Sequence, residues 1–246
     1  MIRTESVLLL KRRANYLKGL IIFFAATLLI GCNSTGMEIN KDNIKSVLLE
    51  SIKACDTELT FENEVLLSDF TEAYVAIYEY EPLAIGISKE VSLKKDKENK
   101  ESVEKVRFKY IFSIEEINRQ KDEIAFVEKQ IIKEVNSVTD DQEKYTLIID
   151  CLTQGFEYDD LLEDSNSVYS ALCKKKANCQ GVAKAFVLLC SEVGLKCGYC
   201  VGKLDGYPHM WNYVFVDNKK IQVDVLEKVT MINKDNRLLE AWVEYN

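Results

Sequence analysis

The chain has 246 residues, of which 47% are hydrophobic and 29% charged, with only two prolines and a formal charge of −8. Such a composition excludes an intrinsically disordered chain and is sufficient for at least one filled core. The acid excess argues against a nucleic-acid partner, because binding phosphate backbones calls for a basic face.

At the N-terminus Lys11, Arg12, Arg13 and Lys18 precede an apolar run from Leu20 to Ile30. A basic region followed by a short apolar one is the pattern of an export signal. The run ends in Leu29-Ile30-Gly31-Cys32, which resembles the lipobox where bacterial lipoproteins are cleaved and lipidated. On this reading residues 1–31 are a signal peptide, Cys32 is the lipidated mature N-terminus, and the protein is exported and anchored to the outer face of the bacterial cell membrane. The competing reading is a single transmembrane anchor, but roughly 12 apolar residues fall short of the ~20 that cross a bilayer. Either way the remainder lies outside the cytoplasm. Removing residues 1–31 takes away five bases and one acid, so the mature chain carries −12.

Residues 32–36 read as a tether, rich in small polar types, and folded structure is expected from about Ile39. Ile44, Val47, Leu48 and Ile52 recur at helical spacing, whereas Ala73–Tyr80 is rich in aromatic and β-branched residues and reads as a strand. The mixed-charge stretch Lys94–Glu101, followed by alternating Val106, Phe108, Tyr110 and Phe112, predicts a solvated hairpin loop between strands. A long helix carries Ile117, Ile124, Val127, Ile131 and Val135 on one stripe, and a further helix from about Asp141 carries Tyr145, Ile148, Ile149 and Leu152. These elements place a small α+β N-terminal region with its connecting helix at 37–137, and a second domain at 138–246.

The second domain holds a helix with a clear start and stop. Asn178 is a favourable N-cap residue and Gly194 a favourable stop, with Cys179 on the first turn. There the helix dipole and free backbone N–H groups favour a thiolate over a thiol. Gly181, Ala183 and Ala185 allow close packing, and Val182, Phe186, Leu189, Cys190 and Val193 supply a buried face. Two strands follow, Leu195–Leu204 and one opened by His209 after the turn Asp205-Gly206-Tyr207-Pro208. His209 is the only histidine of the chain, and neutral imidazole is the side chain best suited to take a thiol proton near neutral pH. A third strand holds Asp224 between two valines, where a carboxylate needs a partner. An even-numbered hairpin loop puts His209 and Asp224 on one face. A two-residue loop would set Asp224 opposite Trp211 or Tyr213, so a longer loop or a bulge is expected in order to bring it beside His209.

The sequence C-x-G-x-A opening a helix, H-x-W-N on a strand and V-D on the next resembles the transglutaminase-like superfamily. Cys179, Gly181, Ala183, His209, Trp211, Asn212, Val223 and Asp224 carry the match, with 30 residues from cysteine to histidine and 15 from histidine to aspartate. The resemblance covers about 140–226. It implies a papain-like α+β core, a catalytic helix packed on an antiparallel sheet, and a thiol mechanism. In that mechanism Cys179 attacks a carboxamide, His209 moves the proton, and Asp224 holds the imidazole tautomer. Protein or peptide amides are the implied substrates, and no cofactor or metal is called for. The sequence departs from the family where Lys220-Ile221-Gln222 precede Val223-Asp224 and Val225-Leu226 follow them, which bears on the shape of the cleft.

The backbone N–H of Cys179 and the hydroxyl of Tyr158 are candidate oxyanion donors, although Tyr158 between Phe156 and Leu161 also fits a packing role. Trp211 and Asn212 are candidate cleft residues. Cys197 and Cys200, three apart on a strand, face opposite sides roughly 10 Å apart, which disfavours a shared disulfide or metal. Cys190 reads as a core thiol. The seven cysteines after Cys32 are odd in number, so at least one stays unpaired in an oxidising compartment. A non-catalytic module of the same fold that binds peptide or cell-wall ligands is the alternative function.

Overall fold

The computed structural model of the protein describes residues 39–227, 229–231 and 243–245. The export signal at 1–31, the Cys32 lipidation site and the tether at 32–36 lie outside the described residues. Helix α1 (Ile44–Lys53) buries Ile44, Leu48 and Ile52, the stripe expected from its spacing. Residues 73–80 are not a strand. They form the second half of helix α2 (Leu67–Tyr80), whose Phe70, Ala73, Tyr74 and Ile77 fall at i, i+3, i+4 and i+7 and are buried. Aromatic and β-branched content favours strands only weakly, and a complete helical stripe that can be buried outweighs it.

Strands β1 (Glu58–Thr60), β2 (Ile87–Lys95) and β3 (Val103–Tyr110) form an antiparallel sheet in the order β1-β3-β2. The charged stretch closes the β2–β3 hairpin as expected, with Lys95 paired to Val103. One core lies between this sheet and the first two helices. Phe70 stacks on Tyr74 at 5.7 Å between ring centroids, and Tyr74 on Phe108 at 6.4 Å.

Helix α3 (Ile114–Val135) is capped by Ser113, whose side chain accepts from the Glu116 N–H, and α4 (Asp141–Thr153) by Asp140, which accepts from the Glu143 N–H. Such caps satisfy donors that a helix start leaves open. The buried residues of α3 pack into a second core with α4, a π turn at Ser170–Lys174, helix α5 (Cys179–Glu192) and the larger sheet. This connecting helix therefore shares the core of the C-terminal half. Both cores belong to one compact unit, Ile39–Asn246.

Between α4 and α5 the two-residue strands β4 (Glu157–Tyr158) and β5 (Lys176–Ala177) pair in parallel. The larger sheet is antiparallel in the order β10-β6-β7-β8-β9, built from β6 (Cys197–Leu204), β7 (Tyr207–Val216), β8 (Lys219–Asp224), β9 (Val229–Met231) and β10 (Val243–Tyr245). Leu204 pairs with Tyr207, so the β6–β7 turn is Asp205-Gly206 alone, and Tyr207 rather than His209 opens β7. Both turn residues have positive φ, 51° and 86°, the backbone that Asp-Gly supplies in a two-residue hairpin. Pro208 is tolerated in the strand because β8 ends before reaching it, leaving β6 as its one strand neighbour among the described residues.

Candidate active site

Helix α5 starts as its sequence requires. The Asn178 side chain accepts from the Gly181 N–H at 3.1 Å, and Cys179 is the first helical residue. The helix ends in a Schellman motif, with Leu195 N–H on the Cys190 carbonyl and Gly194 N–H on the Ser191 carbonyl, and Gly194 at φ 77°. The segment Ser165–Ser167 crosses so close to the first turn that a Cβ on Gly181 would lie 2.5 Å from the Ser165 carbonyl oxygen. Asn178 grips the same segment, its backbone N–H on Ser165 O at 3.0 Å and its Nδ2 on Ser165 Oγ at 3.1 Å. The helix therefore rests on a fixed loop at the end that carries sulfur.

His209 and Asp224 meet, with Nε2 2.6 Å from Oδ2, and their side chains are 10% and 4% exposed. The β7–β8 turn is the two-residue Asp217-Asn218, both at positive φ, and no bulge interrupts the ladder. Continuing the register past Asn212↔Val223 sets Asp224 across from Trp211. The longer loop or bulge expected from the sequence is therefore absent, and the contact is diagonal. Diagonal neighbours on one face lie about 7–8 Å apart at the backbone, within reach of an imidazole and a carboxylate leaning towards each other. The neighbouring pair leans the same way: Trp211 Nε1–H donates to Gln222 Oε1 at 3.1 Å, although Gln222 pairs with Tyr213.

With Nε2 on Asp224, Nδ1 is the ring nitrogen left for Cys179, whose sulfur is hydrogen-bonded to the imidazole and to the backbone N–H groups of Met210 and Gln180. Burial disfavours both charged forms, but these bonds outweigh it. The Cys179 thiol is pulled below the ordinary cysteine range. The imidazole loses by burial and gains more from Asp224 and Cys179, so that its pKa rises to about 9. Both shifts act in the direction of a thiolate–imidazolium pair and away from the neutral thiol and imidazole.

The other candidates separate. Trp211 is 1% exposed and stacks on His209 at 5.9 Å and 15°, so it backs the imidazole and does not line an open cleft. Asn212 is fully buried, and its Nδ2 donates to the Ala183 and Gly198 carbonyls, clamping α5 to β6 out of reach of any substrate. Both residues sit on a central strand, where burial follows from neighbours on either side. Tyr158 is 54% exposed and carried on β4 against β5, the strand that leads into Cys179. Its hydroxyl is held in the protonated, donating form by burial first, and then by the charges of Cys179 and Asp160. A groove of about 560 Å³ runs between Tyr158, Tyr207 and His209.

Cys197 and Cys200 face opposite sides of β6: Cys200 packs with Trp211 and Tyr213, Cys197 against the core that contains Cys190. Cys190 is fully buried. No group of three or more His, Cys, Asp or Glu side chains suited to a metal occurs among the described residues. Likewise no helix among them is long and apolar enough to cross a membrane.

Sequence reasoning missed Gln180, Lys184 and Tyr199. These three cap the carboxyl end of α2: Lys184 Nζ on Tyr78 O at 2.7 Å, Gln180 Nε2 on Glu79 O at 2.9 Å, and Tyr199 OH on Tyr80 O at 2.7 Å. The last carbonyls of a helix have no partner of their own and take such donors. A lysine, a glutamine and a tyrosine far apart in sequence gave no local sign of a shared task, although a lysine on the apolar face of α5 was a visible anomaly.

The family model of the transglutaminase-like superfamily matches residues 129–225, from α3 to just past β8, and spans Cys179, His209 and Asp224. Among solved structures the chain is similar to one described as a TGase, with 16% identity over 74% of this chain and 53% of that one and a TM-score of 0.41. It is also similar to a Cytophaga hutchinsonii protein named as a candidate cysteine protease, with 13% identity over 71% of this chain and 68% of that one and a TM-score of 0.38. A Parabacteroides distasonis protein named as a candidate protease matches with 13% identity over 55% of this chain and 30% of that one, TM-score 0.33. The chain thus spans about half the length of the TGase. No curated protein matches it. Over residues 129–225, then, the chain is similar to the transglutaminase-like superfamily.

Proposed function

We propose that the protein is a cysteine amidase or acyltransferase of peptide or protein amides, with Cys179 as nucleophile, His209 as proton carrier and Asp224 as its orienting acid. The observation that carries this reading is the continuous chain of bonds from the Cys179 sulfur through the imidazole to Asp224, at the start of a capped helix. Thiolate attack on the carboxamide carbonyl gives a tetrahedral oxyanion, for which the Cys179 backbone N–H and the Tyr158 hydroxyl are the candidate donors. Collapse expels the amine, which takes the proton from His209, and leaves a thioester on Cys179. Water or an incoming amine, deprotonated by the now neutral imidazole, then releases the acyl group. Asp224 keeps the ring oriented and its charge matched throughout. Hydrolysis is the default outcome in an aqueous extracellular setting.

The same proposal places the enzyme outside the cell membrane, held by lipid on Cys32, on the strength of the basic and apolar N-terminal pattern and its Leu29-Ile30-Gly31-Cys32 ending. Its substrates would then be surface or secreted polypeptides, without a nucleic-acid partner.

The test is the pH dependence of iodoacetamide labelling of each cysteine in the soluble fragment that starts after Cys32, read by peptide mass spectrometry. Cys179 is expected to label at pH 6, where ordinary thiols react hardly at all, and His209→Ala to abolish that low-pH reaction. If Cys179 behaves like the other cysteines in both proteins, the catalytic reading falls and a ligand-binding module of the same fold takes its place.

A further inference from the structure

The groove beside His209 has a chemistry of its own. Tyr158 and Tyr207 leave 54% and 77% of their surface open and both line the groove. Pro208 adds a third apolar wall, and the carboxylates of Asp205 and Glu227 complete the lining. Among the described residues no lysine or arginine lines the groove. His209, the one cationic group among the described lining residues, has its charge held between Asp224 and Cys179.

We propose that this groove is a subsite for a cationic side chain, of the lysine or arginine type, borne by a residue next to the carboxamide that Cys179 attacks. The proposal rests on the catalytic reading above and gives it a substrate class. A long basic side chain lays an aliphatic stem along apolar walls and keeps its charged head among acceptors, which is the division this lining offers. Two open tyrosine faces add cation–π attraction. At about 560 Å³ the groove accepts such a side chain whole. A purely apolar side chain would suit the rings but leave both carboxylates to be desolvated without a partner. An acidic one would meet like charge.

Both carboxylates are placed by the strands that place the catalytic pair. Asp205 sits at φ 51° in the turn that starts β7, four positions before His209. Glu227 follows Asp224 by three positions, and its backbone N–H donates to Asp224 Oδ1 at 3.4 Å. Neither carboxylate is in an ion pair among the described residues, and the charge of Asp160 also reaches the Tyr158 hydroxyl. The negative field is thus built into the hairpins that hold His209 and Asp224, and a charge bound there lies next to the reacting carbonyl.

Three acetylated aminoacyl vinyl sulfones, with lysine, norleucine or glutamate side chains, test this by their rates of covalent addition to Cys179, read by intact mass. The lysine probe is expected to react about tenfold faster than norleucine, the gain that two partly exposed charge pairs supply, and the glutamate probe slowest. In the double variant Asp205→Asn, Glu227→Gln the lysine-to-norleucine ratio should fall towards one, while iodoacetamide still labels Cys179 at the wild-type rate. Raising the salt to 0.5 M should lower the ratio in the wild type alone. Equal rates for lysine and norleucine, or a ratio unchanged in the double variant, overturn the subsite while leaving the nucleophile intact. If iodoacetamide itself finds no privileged Cys179, the catalytic reading fails, and the subsite with it.

Discussion

Replacing Gly181 by alanine sets two effects of known size against each other. In an ordinary helix the change would stabilise by about 1 kcal/mol, through the lower backbone entropy of alanine. Here the new Cβ would stand 2.5 Å from Ser165 O, 3.0 Å from Ser167 O and 3.1 Å from the Ala177 Cβ, and two of these neighbours are backbone. The loop must retreat by ~0.5 Å merely to reach 3.0 Å, and the 3.0 Å bond from Asn178 N–H to the same Ser165 oxygen then stretches towards the limit of hydrogen bonding. Losing that bond in a buried setting costs about 1–3 kcal/mol, and overpacking adds a comparable amount. The net expectation is a destabilisation of roughly 1–5 kcal/mol, or a fall in melting temperature of about 2–20 °C for a chain of this length. Thermal unfolding followed by circular dichroism reads it directly. Because Asn178 and Cys179 ride on the same contact, the low-pH alkylation of Cys179 should weaken as well. A melting temperature that rises would show that helix propensity wins, and that the loop does not hold the turn that carries Cys179.

Three further perturbations have definite signs. His209 has a folded pKa near 9 against an ordinary value of 6.5, so its contribution is complete below 6.5 and is lost as the pH rises through about 9. Asp224→Asn removes the main source of that shift; in urea titrations the wild-type advantage should shrink by up to ~3 kcal/mol between pH 6 and 9.5, and a gap that ignores pH would refute the pairing. Lys184 is 5% exposed and its pKa is lowered by burial to about 8, with Glu79 and Glu81 opposing, so the unfolded chain binds its proton more strongly and stability should rise from pH 8 towards 10.5. Lys184→Met should abolish that rise and leave stability at pH 7 equal or higher, and a large loss at pH 7 would instead mark the bond to Tyr78 O as dominant. Asn212→Ala removes two buried bonds and leaves a cavity, for about 2–4 kcal/mol by chemical denaturation. A loss below 1 kcal/mol would show that the α5–β6 clamp is dispensable.

The local grammar of the C-terminal half was legible because each signal there acts over a few residues. Asn178 as cap, Gly194 as stop, the stripe of α3, and the order of Cys179, His209 and Asp224 depend on neighbours in sequence, and the structure has them where that grammar puts them. Even the alternation rule that put His209 and Asp224 on one face needed no tertiary knowledge. The strand expected at Ala73–Tyr80 failed for the opposite reason: its residues are indifferent between two local states, and only the core formed with β2 and β3 selects the helix. Tertiary structure alone decided the diagonal reach from His209 to Asp224, because register fixes backbones and leaves the lean of side chains open. It also decided that Trp211 and Asn212 lie behind the site instead of on its surface, since exposure depends on what covers a strand. The capping of α2 by Gln180, Lys184 and Tyr199 joins residues about a hundred positions apart, and no local pattern encodes a hydrogen bond at that range.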